Sequence, residues 1–227
     1  MSSGPVTQIK IGDVIDPRTF WAHENKKLSK AAMKLRILET SLKDYISGQG
    51  SKVSIPTKPG SAVAVRHDKR WVRGKLEHVF VQQNMKKATI FLIDYGITLH
   101  DIEMADDVRR LDNQFMDEDP LAFQVILSGL SPVSMNMDWE IGGVKTMTTS
   151  PASDWDTAAL RFVKTIIEDA RAAGAQAEMV DVILDERGRR HGQVLLNNES
   201  NKVTFAGCHV IIAQNSKILF RFILMNC

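Results

Sequence analysis

The sequence predicts a mostly β chain with two long helices, an α+β protein, and three observations carry that prediction. Apolar residues alternate in short runs bounded by Gly, Pro, Asp and Asn through most of the chain, the period-two signature of strands. Two stretches alone switch to spacings of three and four, the signature of amphipathic helices. Between residues 59 and 112 lie four or five short strand-like runs, too small a set for an open sheet covered on both faces, so a strongly bent barrel is the economical form.

Taken in order, Ile9 to Ile15 and Phe20 to Glu24 read as two strands around the turn at Asp16-Pro17. Leu28, Ala31, Leu35, Leu38, Leu42 and Tyr45 then share one helical face, with Asn25 or Ser29 as the cap and Gly48 as the stop. Gly50 to Gly60, with Pro56 and Pro59, is a turn-rich connector. The barrel strands follow as Ala62 to Arg66, Trp71 to Val81, Ala88 to Asp94 and Thr98 to Ile102, with turns at His67-Asp68-Lys69 and at Gln82 to Lys87.

Beyond the acidic turn Asp117 to Pro120, Leu121 to Leu127 reads as a strand, and Ser131 to Ser153 as loops with one short element. Asp154 is a good N-cap for a second helix, with Trp155, Ala158, Ala159, Phe162, Ile166 and Ala170 on one face. Gln176 to Leu184, Gly192 to Leu196 and Lys202 to Phe205 finish as strands, and the stretch from Gly207 fits helix or strand equally. The organisation is three-part: residues 1–58, a barrel at 59–112, and residues 113–227. The first part is too small to bury its own apolar face, so it is expected to pack with the third.

Composition narrows the function classes. With 29 Lys+Arg against 27 Asp+Glu, a net charge of +2 argues against gripping nucleic acid mainly by phosphate neutralisation, and leaves room for a local basic patch. Cys208 and Cys227 are the only cysteines, which excludes a disulfide framework and thiolate metal clusters. The longest apolar run, Ile218 to Met225, is interrupted by Arg221 and is too short to span a bilayer. The six His show no metal-ligand spacing, and no nucleophilic triad or Gly-rich phosphate motif is present. The expectation is no cofactor, no metal, no membrane and no catalytic residue.

Trp71-Val72-Arg73-Gly74, then Ile90 to Gly96 with Asp94-Tyr95-Gly96 at its end, then Val108-Arg109-Arg110-Leu111, resembles the Tudor barrel. In that family a Trp-Tyr-Arg-Ala strand precedes a Phe-x-Asp-Tyr-Gly-Asn turn and a closing Leu-Arg-x-Leu. Asp16-Pro17 with Phe20-Trp21-Ala22-His23, and downstream Pro120 to Val125 and Gly129 to Pro132, resemble the flanks of an extended Tudor domain. The resemblance implies a Tudor β-barrel inserted into a split OB-type, staphylococcal-nuclease-like subdomain.

It also implies a binding module of the germline small-RNA pathway. Such domains typically hold symmetrically dimethylated arginine from the N-terminal tails of PIWI-clade Argonautes in an aromatic cage completed by an Asn. Cation–π attraction offsets the desolvation of the cation there. Carried over residue by residue, the cage falls on Val65, Val72, Leu92 and Tyr95, and the Asn on Ile97. Only Tyr95 keeps its ring, and each lost ring forfeits about 0.5 to 2 kcal/mol.

The sequence is therefore read as an atypical extended Tudor domain, a non-catalytic adaptor taking an unmethylated Arg-containing Argonaute tail in cytoplasmic, perinuclear germ granules (nuage). Asp94, Asp101, Glu103, Asp106 and Asp107 are the candidate acidic partners of that arginine. For each the plainer role is structural, a turn cap for Asp94 and a solvated face for the others. The alternatives are a dimethylarginine reader, or an RNA-binding or self-associating scaffold, joining itself or other Tudor proteins, through the OB-like surface. A nuclease would need clustered carboxylates and a phosphate-binding Arg pair; Asp13, Asp16 and Glu24 have no such pair beside them in the sequence.

Overall fold

Short strands dominate the computed structural model, which describes residues 6–25, 29–48, 55–139, 145–172, 174–197, 201–206 and 209–214. Leu28, Cys208, Cys227 and the run Ile218 to Met225 lie outside the described residues. In chain order the elements are β1 (Thr7–Asp16), β2 (Thr19–Glu24), α1 (Lys30–Gly48), β3 (Ala62–His67), β4 (Arg70–Gln82), β5 (Met85–Leu92) and β6 (Ile97–Glu103). There follow α2 (Met104–Asp107), β7 (Val108–Arg110), β8 (Phe123–Leu127), β9 (Val133–Trp139), β10 (Lys145–Pro151), α3 (Thr157–Ala172), β11 (Gln176–Leu184), β12 (Arg190–Asn197), β13 (Asn201–Ala206) and β14 (His209–Gln214). The chain forms two compact units, Trp21–Phe123 and Met1–Phe20 with Gln124–Cys227.

In the unit Trp21–Phe123, five strands run in the order β6-β5-β4-β3-β7. The β3–β4 and β4–β5 connections are two-residue turns with both residues left-handed, Asp68 and Lys69 at φ 46° and 65°, Gln83 and Asn84 at 51° and 63°. That is the primed geometry that matches strand twist. Register shifts between Leu76 and His78 and between Ala88 and Ile90 bend the strands around a core of Val63, Val65, Val72, Leu76, Ile90, Leu92 and Val108.

The first helix is capped by Ser29, whose Oγ accepts from the Ala32 amide at 3.1 Å. Its apolar face is covered within its own unit, where the sequence reading looked to the C-terminal flank. Leu42 and Ile46 pack with Ala64, Leu111 and Phe115 of the barrel unit, and Tyr45 meets the Phe115 ring at 4.9 Å. The reason is that β3 offers a small residue, Ala64, on its outer face, leaving room for a helix.

The first two strands do join the third part of the chain. The second sheet has the order β11-β1-β2-β8-β12-β13-β14, and β11 also pairs β12, so five strands close on themselves. That closure is the OB-type arrangement the flanks suggested. Asp16 fixes the β1–β2 turn, its Oδ1 accepting from the amides of Arg18 and Thr19 at 2.8 Å each.

Three local readings are corrected. The α3 cap is Asp156, whose Oδ1 accepts from the Ala158 amide at 2.8 Å, rather than Asp154. Its buried face consists of Ala159, Val163 and Ile167, about one residue on from the predicted stripe, and Ala158 is exposed. The 131–153 region, read as loops, holds the antiparallel pair β9–β10.

Candidate functional site

The turn between β5 and β6 builds the centre of the site. The amides of Tyr95 and Gly96 both donate to the Leu92 carbonyl, at 3.2 and 2.8 Å. Gly96 takes φ 67°, and a Cβ there would meet the Trp21 Cβ at 2.5 Å, so glycine alone fits.

Asp94 turns inward from this bend. Its Oδ2 accepts from Arg73 Nε at 2.8 Å and its Oδ1 from Arg73 Nη2 at 2.5 Å, with both side chains essentially without solvent exposure. The remaining Arg73 donors go to the carbonyls of Phe115, Glu118 and Asp119, at 2.6, 2.7 and 3.2 Å. All five guanidinium N–H groups are thereby used. Asp94 therefore takes an arginine of its own chain, a correction to its candidacy as acceptor for a ligand arginine.

The five cage positions do come together, but not as an open pocket. Val65, Val72 and Leu92 are buried in the barrel core, with Tyr95 and Ile97 half-buried against it. Aliphatic side chains collapse into the space that rings would line.

Tyr95 is drawn into a polar cluster that sequence reasoning missed. Its hydroxyl donates to Glu39 of α1, and the His23 and His67 rings meet its ring in T-shaped contacts with centroids 5.2 and 5.9 Å apart. Arg70 bridges both Glu39 oxygens through one nitrogen, at 3.4 and 3.3 Å. Burial, then the hydrogen bond to Glu39 and its negative charge, push the Tyr95 phenol above its ordinary pKa. The attraction of Glu39 raises Arg70 as well. On sequence, Glu39 is one more charge on the polar side of a helix, with nothing to set it apart.

The other acidic candidates lie on β6, α2 and their junction. In the β5–β6 register Ile97 faces Leu92 and Glu103 faces Lys87, five residues apart, or about 16 Å along the strand. Asp101 is exposed at φ 57°, Asp106 is exposed, and Asp107 lies 4.0 Å from Arg66.

Two clefts open on this unit. One, about 590 Å³, lies between α1 and the β3–β4 hairpin and is lined by Glu39, Lys43, Arg66, Lys69, Arg70 and Trp71, with Thr40 and Ser47. The other, about 540 Å³, is lined by Ile55, Met85, Lys86, Glu103 and Met104, with Thr57, Asn84 and Ala105. Glu103 is thus the acidic candidate with a cavity beside it. Lys87, its register partner, donates to Gln82 Oε1 at 2.8 Å.

Comparison with known proteins places this architecture. The family model for the Tudor domain matches residues 4–129. No curated protein sequence matches the chain. Among solved structures, the extended Tudor domain TD3 of mouse TDRD1, in complex with a MILI peptide containing dimethylarginine, superposes with a TM-score of 0.57 at 15% identity, over 90% of this chain and 89% of that one. The extended Tudor domain of human TDRD1, in complex with a symmetrically dimethylated peptide, gives 0.56 at 14% identity, over 90% and 86%. The Papi extended Tudor domain of Drosophila melanogaster gives 0.55 at 16%, over 96% and 94%. At such identities the likeness speaks for the fold. Because the family model spans more than half of the 227 residues and the closed second sheet completes the extended form, the chain belongs to the Tudor domain family.

Proposed function

We propose that this chain is a non-catalytic peptide-binding adaptor of small-RNA silencing in cytoplasmic germ granules. It takes an Arg-containing N-terminal tail of a PIWI-clade Argonaute, preferring the unmethylated form. Family membership and the peptide complexes of the human and mouse neighbours support the peptide-binding part.

The observation that carries the methylation preference is the state of the cage. Three of its positions are aliphatic and buried, and Tyr95, the one ring kept, has its hydroxyl spent on Glu39. A methylated guanidinium finds no set of aromatic faces to offset its desolvation. An unmodified guanidinium keeps its full fork of donors and needs only a carboxylate, whereas methyl groups block the fork. Glu103 is the acceptor best placed for it. An arginine stem entering that cleft would lie along Met85, Met104 and Ile55 while its head reached the carboxylate.

The test is calorimetric titration with an Arg/Gly-rich tail and its Arg→Ala version, against the native chain and Glu103→Gln. The native tail should bind, and either change should weaken it about tenfold or more, the usual weight of a charge-assisted hydrogen bond. Binding indifferent to both changes would contradict the reading.

A further inference from the structure

We propose that the cleft between α1 and the β3–β4 hairpin is a second binding site, for single-stranded nucleic acid. Its walls carry Lys43 from the helix and Arg66, Lys69 and Arg70 from the hairpin; Glu39 opposes Arg70 at 3.3 Å, and Asp107 lies 4.0 Å from Arg66. The Glu39 carboxylate is also engaged by the Tyr95 hydroxyl, with its side chain only 12% exposed. Lys43 and Lys69 are exposed and enter no salt bridge among the described residues. The balanced charge of the whole chain therefore hides a groove whose lining is net positive, where a linear anion could run past Lys43 and Lys69.

Trp71 sets the class of that anion. Its ring, half-buried in the cleft, carries the Arg66 guanidinium 5.4 Å from its centroid and that of Arg109 at 5.7 Å. Guanidinium planes held by an aromatic ring are stacking platforms for unpaired bases. An acidic peptide would supply charge but no planar faces, so the cleft suits a polymer with both phosphates and bases. This site is independent of the peptide reading, whose acceptor Glu103 lines the other cleft.

The experiment is fluorescence anisotropy of the full chain with a single-stranded RNA of about a dozen nucleotides across a salt series. With the two cations outside any ion pair, Lys43 and Lys69, engaged at about 0.7 per phosphate, the slope of log K against log salt should be about −1.4. Lys43→Gln combined with Lys69→Gln should bring it close to zero and weaken binding at least about tenfold near 100 mM salt. Lys58→Gln combined with Lys75→Gln removes the same charge from exposed positions outside the cleft and should change neither quantity. Far-UV circular dichroism should be unaltered in both variants. The proposal is overturned by no RNA binding, by equal losses in the two double variants, or by a poly-glutamate peptide binding as tightly as the RNA.

Discussion

Arg73 and Asp94 form a forked ion pair sealed in the barrel unit, and Asp94 Oδ1 also accepts from the Leu121 amide at 3.2 Å. The pair ties strand β4 and the β5–β6 turn to the segment carrying Phe115 to Asp119. Asp94→Asn leaves a buried guanidinium without its counter-charge and should cost about 3 to 5 kcal/mol in urea unfolding. Replacing both residues by apolar ones of similar volume should cost less than the sum of the single changes. A single variant within about 1 kcal/mol of the native chain would contradict the structural role.

Tyr95 gives a pH prediction. Its folded pKa is raised above the ordinary value of about 10 by burial first and Glu39 second, so its contribution to stability is full below about pH 10 and is lost as pH rises through the raised value. The tyrosinate absorbance difference between the native chain and Tyr95→Phe should therefore develop only above about pH 10. Glu39→Gln should move that midpoint down without restoring the ordinary value, because burial remains. A difference spectrum that develops at or below about pH 10 would refute the geometry.

Gly96 is the hinge of the same turn. Gly96→Ala combines a left-handed backbone with a Cβ pressed on Trp21, and should destabilise by at least about 2 kcal/mol in thermal or urea unfolding. Gly60, at φ 88° with open space around it, should cost less when changed to Ala, since only the backbone term remains.

The barrel was legible in the sequence because its signals are local. Turn residues such as Asp68-Lys69 and Gln83-Asn84 punctuate alternating runs, and each run maps onto a strand within one to three residues. The β9–β10 pair was missed although Thr146, Thr148, Thr149 and the Gly142-Gly143 dipeptide favour a hairpin, because the Ser, Met, Asn and Asp among them blur the apolar alternation. The resemblance named the cage positions, but not how the fold would fill the space around them. Glu39 lies 56 residues from Tyr95, and only the packing of α1 on the barrel brings them together. Likewise Asp94 looked available until the fold supplied Arg73, a partner 21 residues away.

A Tudor barrel without its aromatic cage should, on the proposal above, prefer bare arginine. The most direct measurement is the ratio of dissociation constants for one Argonaute-type Arg/Gly tail in unmodified and symmetrically dimethylated forms, titrated against the native chain under the same conditions. The unmodified tail should bind more tightly, by several-fold. Tighter binding of the dimethylated tail would contradict that preference.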